Sequence, residues 1–172
     1  MALRLFDKKQ LEMVSRAISD AEELVSGYYK LSGSEWGAIR YDFITMADLS
    51  ESEIVKGPLA EILRYNARPN DSIHTAENYD FYKICVQDQN ILELMEENQG
   101  LDPFSFFLYI AAHELVHIVR FSRFFQNFEA TQSERLAEEK KVHEITREIL
   151  LKINFSGMKQ ILDFYDLWQY RV

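Results

Sequence analysis

The chain has 172 residues, a formal net charge of −9, 47% hydrophobic and 13% aromatic residues, and a single cysteine, Cys85. That length can bury one sizeable core, and the apolar content excludes a disordered chain. The acidic balance argues against nucleic acid and against anionic membranes as partners, and one cysteine provides neither an internal disulfide nor a cysteine-built zinc site.

Met1 to Lys9 is too short in apolar residues and too charged for a signal peptide. No repeat, linker or low-complexity tract divides the chain, so residues 1–172 read as a single domain in a reducing, cytoplasmic setting. From about Asp7 to Lys30 the residues Leu11, Val14, Ala17, Ile18, Ala21, Leu24, Val25 and Tyr28 recur at helical spacing. Ser32-Gly-Ser-Glu ends that helix. Trp36 to Met46 alternates apolar and polar residues, a strand pattern. Ser50-Glu-Ser-Glu53 resembles a capping box and predicts a helix to about Tyr65, kinked at Gly57-Pro58. Asn66 to Asp71 reads as a loop. Tyr79 to Asp88 is strand-like, Gln89 to Asn98 a short helix, and Gln132–Ile153 and Gly157–Tyr170 a final helical pair capped between at Ser156. Helices with a few strands in the first half define an α+β chain.

The most informative stretch is His113-Glu114-Leu115-Val116-His117, a complete H-E-x-x-H. Asp102-Pro103 precedes it as an N-cap and first-turn proline, and no Gly or Pro follows until well past Arg123, so the motif falls inside a long helix. Phe104, Phe106 to Ala112 and their neighbours make that helix apolar on nearly every side, a buried central helix. The uninterrupted apolar run Phe106–Ala112 is far short of a membrane span. Histidines at i and i+4 share a helix face and can converge on one Zn²⁺. Glu114 between them can take a proton from metal-bound water. The bland alternative is a core helix whose histidines hydrogen-bond to backbone or carboxylates.

A catalytic zinc needs a third protein ligand. Downstream stand Glu129, Glu134, Glu138, Glu139, His143, Glu144 and Glu148. Phased against Leu136, Val142, Ile145, Ile149, Leu150 and Ile153, Glu139 falls near the middle of the apolar face. His143 lies one turn on toward one side, and Glu138 sits at the opposite edge. Glu139 and His143 also fit an ordinary i,i+4 surface pair. Tyr109, one turn before His113, reads as a core aromatic that could otherwise stabilise an oxyanion. His74 reads as a loop residue and Cys85 as a small core residue. The clusters Phe121-Phe124-Phe125-Phe128 and Phe164-Tyr165-Trp168-Tyr170 are core or, in part, a partner surface.

H-E-L-V-H followed by Glu139-Lys-Lys-Val-His143-Glu-Ile-Thr resembles the gluzincin branch of the zincin metallopeptidases, over roughly residues 79–150. The resemblance implies Glu139 as third zinc ligand and His143 as a supporting group. His143 replaces the usual acid there, which leaves a three-histidine site open. The resemblance also implies a strand before the active helix, placed at Tyr79–Asp88, whose edge pairs with an extended substrate.

The resulting expectation is a small zinc-dependent peptidase: His113, His117 and Glu139 on Zn²⁺, Glu114 as general base, and a peptide or protein as substrate. Neither nucleic acid nor membrane is an expected partner, and self-association stays open. The alternatives are a non-catalytic zincin-like metal-binding or interaction domain and a di-iron bundle. The bundle would need the Glu114-x-x-His117 pair twice, and only Asp71-x-x-His74 loosely repeats it.

Overall fold

A computed structural model describes residues 2–67, 79–123 and 130–168. In chain order it contains α1 (Lys8–Tyr28), α2 (Gly33–Gly37), β1 (Arg40–Ile44), β2 (Ala60–Ala67), β3 (Tyr79–Val86), α3 (Asp88–Glu97), α4 (Pro103–Arg123), α5 (Gln132–Leu151) and α6 (Met158–Trp168). The architecture is α+β, mostly helical with one small mixed sheet.

The centre of the molecule is α4. Asp102 caps it, its carboxylate accepting the Ser105 N–H at 2.9 Å, and Pro103 occupies the first turn, where a missing N–H costs nothing. Buried residues run from Ser105 to Ala112 and again from Leu115 to Val119. By length and hydropathy this helix could cross a membrane, yet its apolar stretch is 72% buried inside the fold, as suits a core helix. Against it α1 lays Val14, Ala17, Ala21 and Val25, all buried. The small residues Ala17 and Ala21 let the two helices approach closely.

The start of α6 is fixed to the start of α4. Ser105 Oγ donates to the Ser156 carbonyl at 2.9 Å. Gly157 has φ +85°, and a Cβ there would lie 2.6 Å from Asp102 Cβ. Only glycine combines that backbone with that approach. Ser156 therefore acts through its carbonyl, and the cap expected of its side chain is replaced by this junction.

Four expectations need correction. The helix foreseen from Ser50 to Tyr65 does not form. Its capping box is real, with Glu53 closing on Ser50, but it caps a single 3-10 turn, Glu51–Glu53. Gly57, at φ +109°, and Pro58 end any helical continuation, and the next residues become β2, which gains a full antiparallel ladder with β3 from Ala60↔Val86 to Ala67↔Tyr79. That ladder also takes in Asn66 and Ala67, which read as the start of a loop. Ser32 likewise opens α2 instead of only breaking α1, so Trp36 is helical and β1 starts at Arg40. Finally, β3 is where the strand was expected but is the middle strand in the order β1-β3-β2, parallel to β1 and antiparallel to β2. Both its edges are already paired, so the edge expected to receive a substrate belongs to β1 or β2.

The sheet meets α4 through a second small core of Tyr82, Ile84 and Ile118. Tyr82 stacks on Phe121, with ring centroids 6.0 Å apart. Arg68 to Asp71, His74, Phe124, Phe125, Phe128, Glu129 and Tyr170 lie outside the described residues.

Candidate metal centre

Helix α4 presents His113 and His117 one turn apart, with ring centroids 4.9 Å apart at 73°. Helix α5 crosses over them. Thr131 caps it, with Glu134 closing the capping box, and the Arg120–Glu138 ion pair ties its first turns to α4. That pairing occupies Glu138, another of the acidic candidates on α5. The Glu139 carboxylate lies 3.1 Å from His113 Nε2 and 2.9 Å from His117 Nε2. Three ligand atoms, one from each of His113, His117 and Glu139, fall within 4.8 Å of one another, a set that could hold a metal ion.

The buried stripe of α5 is Val142, His143, Thr146, Ile149 and Leu150, while Leu136 is 56% exposed. Glu139 stands three, four and seven positions before Val142, His143 and Thr146, so it is in phase with that stripe; its side chain is 56% exposed and reaches both histidines. His143 is the buried member, at 4%. Its Nδ1 is 2.5 Å from the Tyr109 hydroxyl, and its Nε2 is 2.6 Å from Asp166 Oδ1 on α6. Tyr109 Oη is also 3.4 Å from His113 Nδ1. His143 therefore supports the cluster through Tyr109, without joining it. Asp166 carries no signal in the sequence: an acidic residue on an amphipathic helix is solvent-facing by default.

The remaining acids of α5 have other surroundings. Glu148 accepts from the Tyr28 hydroxyl at 3.0 Å, and Glu144 is exposed. Tyr109 is a core aromatic as expected, 2% exposed and stacked on Tyr165 at 3.9 Å, but its hydroxyl joins two histidines as well. Cys85 is buried on β3 and free.

The electrostatics fit a cation. Although burial opposes it, hydrogen bonds from His113 and His117 hold the Glu139 carboxyl well below the usual carboxylate range. Burial pulls His113 down. Burial also opposes charge on His117, but the bond to Glu139 outweighs it and raises that ring. Burial pushes Glu114 up to about 8, with Glu139 adding to the rise and His117 opposing it. Glu114 makes no hydrogen bond among the described residues. His117 Nδ1 is buried and also has none, while its ring stacks on Phe121 at 5.9 Å. Two imidazole nitrogens converging on one carboxylate, with a further buried carboxyl beside them, make a donor set suited to zinc or another borderline divalent metal.

No family model, no curated protein and no solved structure matches this chain significantly.

Proposed function

We propose that this chain is a small zinc metallopeptidase. The observation that carries the reading is the convergence of His113, His117 and Glu139, from two helices and with 26 positions between His113 and Glu139, on one point. A carboxylate that meets both rings from a separate helix supplies the third protein ligand that a catalytic zinc takes.

When bound, zinc polarises a carbonyl and acidifies water at neutral pH. His113 and His117 hold it from the rigid α4, and Glu139 completes the protein ligands from α5. Glu114, one residue from His113, takes a proton from the attacking water and returns it to the leaving amine. In the metal-free chain Glu114 keeps its own proton near neutrality, because burial raises its carboxyl to about 8. A cation at the neighbouring cluster lowers that value, which is the direction a general base needs. The exposed side of Glu139 leaves one face of the cluster open to solvent.

One observation favours a second reading, a metal-binding protein without peptidase activity. The strand preceding the active helix is enclosed within the sheet. Peptide hydrolysis by the zinc-loaded chain, compared with its Glu114→Gln variant, decides between the two. Zinc-dependent cleavage that disappears in the variant supports the peptidase. Zinc binding with equal, negligible turnover in both supports the second reading.

A further inference from the structure

The polar groups behind His113 form a line. Asp166 of α6, His143 of α5, and Tyr109 and His113 of α4 follow one another at 2.6, 2.5 and 3.4 Å. Three helices converge to build it. The Gly157–Asp102 junction sets the start of α6, and the Tyr109–Tyr165 stack holds its middle against α4.

We propose that Asp166, His143 and Tyr109 are positioning residues that give the His113 proton an acceptor at Nδ1, leaving Nε2 with a free lone pair for a cation. This rests on the metal reading of His113 above. The direction of the line follows from counting protons. An ionised carboxylate only accepts, so His143 carries its proton on Nε2, facing Asp166. With that N–H as the only one the ring carries, His143 Nδ1 accepts and the Tyr109 hydroxyl spends its single proton on it. Tyr109 Oη is then left only as an acceptor, and the donor it can meet is an Nδ1–H on His113. On the other side of that ring, Nε2 faces the Glu139 carboxylate at 3.1 Å. Two acceptors face each other there unless a cation or a proton lies between. In the metal-free chain the nearer, charged Glu139 draws the His113 proton to Nε2, at 3.1 Å against 3.4 Å on the Tyr109 side; a cation at Nε2 would displace that proton, and the line behind His113 gives it an acceptor at Nδ1. Fixing ligand tautomers through the far ring nitrogen is what outer partners of metal-bound histidines do. Here the anchor is a carboxylate two side chains removed.

Asp166 contacts His143 and Arg147 and none of the three proposed ligands, so its substitution separates this role from direct coordination. Its side chain is 38% exposed, so Asp166→Ala should fold. Two-bond ¹⁵N–¹H correlations on histidine-labelled full-length chain read each ring's tautomer, and zinc titration reads affinity. We expect His143 as the Nε2–H tautomer in the parent chain. In Asp166→Ala it shifts to Nδ1–H, which donates to Tyr109 and turns the hydroxyl proton against His113 Nδ1. Zinc affinity should then fall roughly 10–100-fold, and Asp166→Glu should recover part of it. With Tyr109→Phe as background, Asp166→Ala should add little further loss, because the connection is already cut. Should Tyr109→Phe fold poorly, the Asp166 pair alone decides. His143 as Nδ1–H in the parent chain, or a tautomer shift that leaves zinc affinity unchanged, overturns the proposal. A parent chain with the expected tautomer that takes up no zinc sinks the metal reading instead.

Discussion

Two carboxylates in this molecule sit among converging polar groups, and they differ in how their bonds are closed. Glu53 lies beside the sheet, its side chain 8% exposed, and pairs with Lys83 at 2.7 Å. It also accepts from the Ser50 N–H at 2.8 Å, the Ser50 hydroxyl at 2.9 Å and the Tyr65 hydroxyl at 3.3 Å. Nearby, Gln87 donates to the carbonyls of Glu53 and Cys85. Every strong group there has a protein partner. At the other place, Glu139 faces two imidazoles while half exposed, His117 Nδ1 is buried without a bond, and Glu114 carries a raised carboxyl with no hydrogen bond among the described residues. A closed network is structural. One left incomplete in a well-packed helix pair calls for an explanation, and the proposed metal supplies one.

The sharpest separation concerns turnover. Glu114→Gln should lower peptide hydrolysis about 10²–10⁴-fold, the usual worth of a positioned general base, while zinc content stays at the parent level. Glu53→Gln should leave turnover per folded molecule untouched. Initial rates normalised to folded, zinc-loaded protein check both. Next in size is metal affinity. His117→Ala removes one of three protein ligands and should weaken zinc by more than the roughly 10–100-fold loss of an outer partner; Lys83→Met should not change it. Competition titration with a chelator makes that comparison.

Stability distinguishes the two places by a smaller margin. Zinc at a hundredfold excess over Kd should stabilise the parent chain by about 2.7 kcal/mol, and Glu53→Gln by as much, but His117→Ala scarcely at all. Melting temperatures with and without zinc read this directly. The smallest effect is the acid dependence of the closed network. The hydrogen bond from Lys83, with those from Ser50, lowers Glu53 from its ordinary value of 4.5 to about 2. A carboxyl depressed in the folded state stabilises above its unfolded pKa, and that contribution disappears as pH falls through the folded one. Metal-free parent chain should therefore lose stability between about pH 4.5 and 2, and Lys83→Met should show a shallower loss over that interval.

The helical half of the molecule was legible because its signals are local. Asp102-Pro103 at one end and an unbroken apolar run placed α4, and the i,i+4 spacing placed both histidines on one face. Between Ser50 and Tyr65 the capping box was local too and did form, but the strand after it owes its existence to β3, a partner the segment itself does not display. The order β1-β3-β2 was invisible for the same reason. In the site, His113, His117 and Glu139 are legible from helical phase, Glu139 standing three, four and seven positions before the buried Val142, His143 and Thr146, although Leu136, one of the residues that suggest that phase, faces solvent. The Arg120–Glu138 pair beside it is a contact between helices that the sequence does not display. The Asp166–His143–Tyr109 line joins residues 23 and 34 positions apart, a juxtaposition that only the packed helices reveal.

The most direct test of the account is elemental analysis of the full chain, purified without added metal and then dialysed against a trace of zinc. About one zinc per folded molecule is expected, falling to none in His117→Ala. Stoichiometric iron in its place, no bound metal in the parent chain, or zinc retained at full stoichiometry in His117→Ala would contradict it.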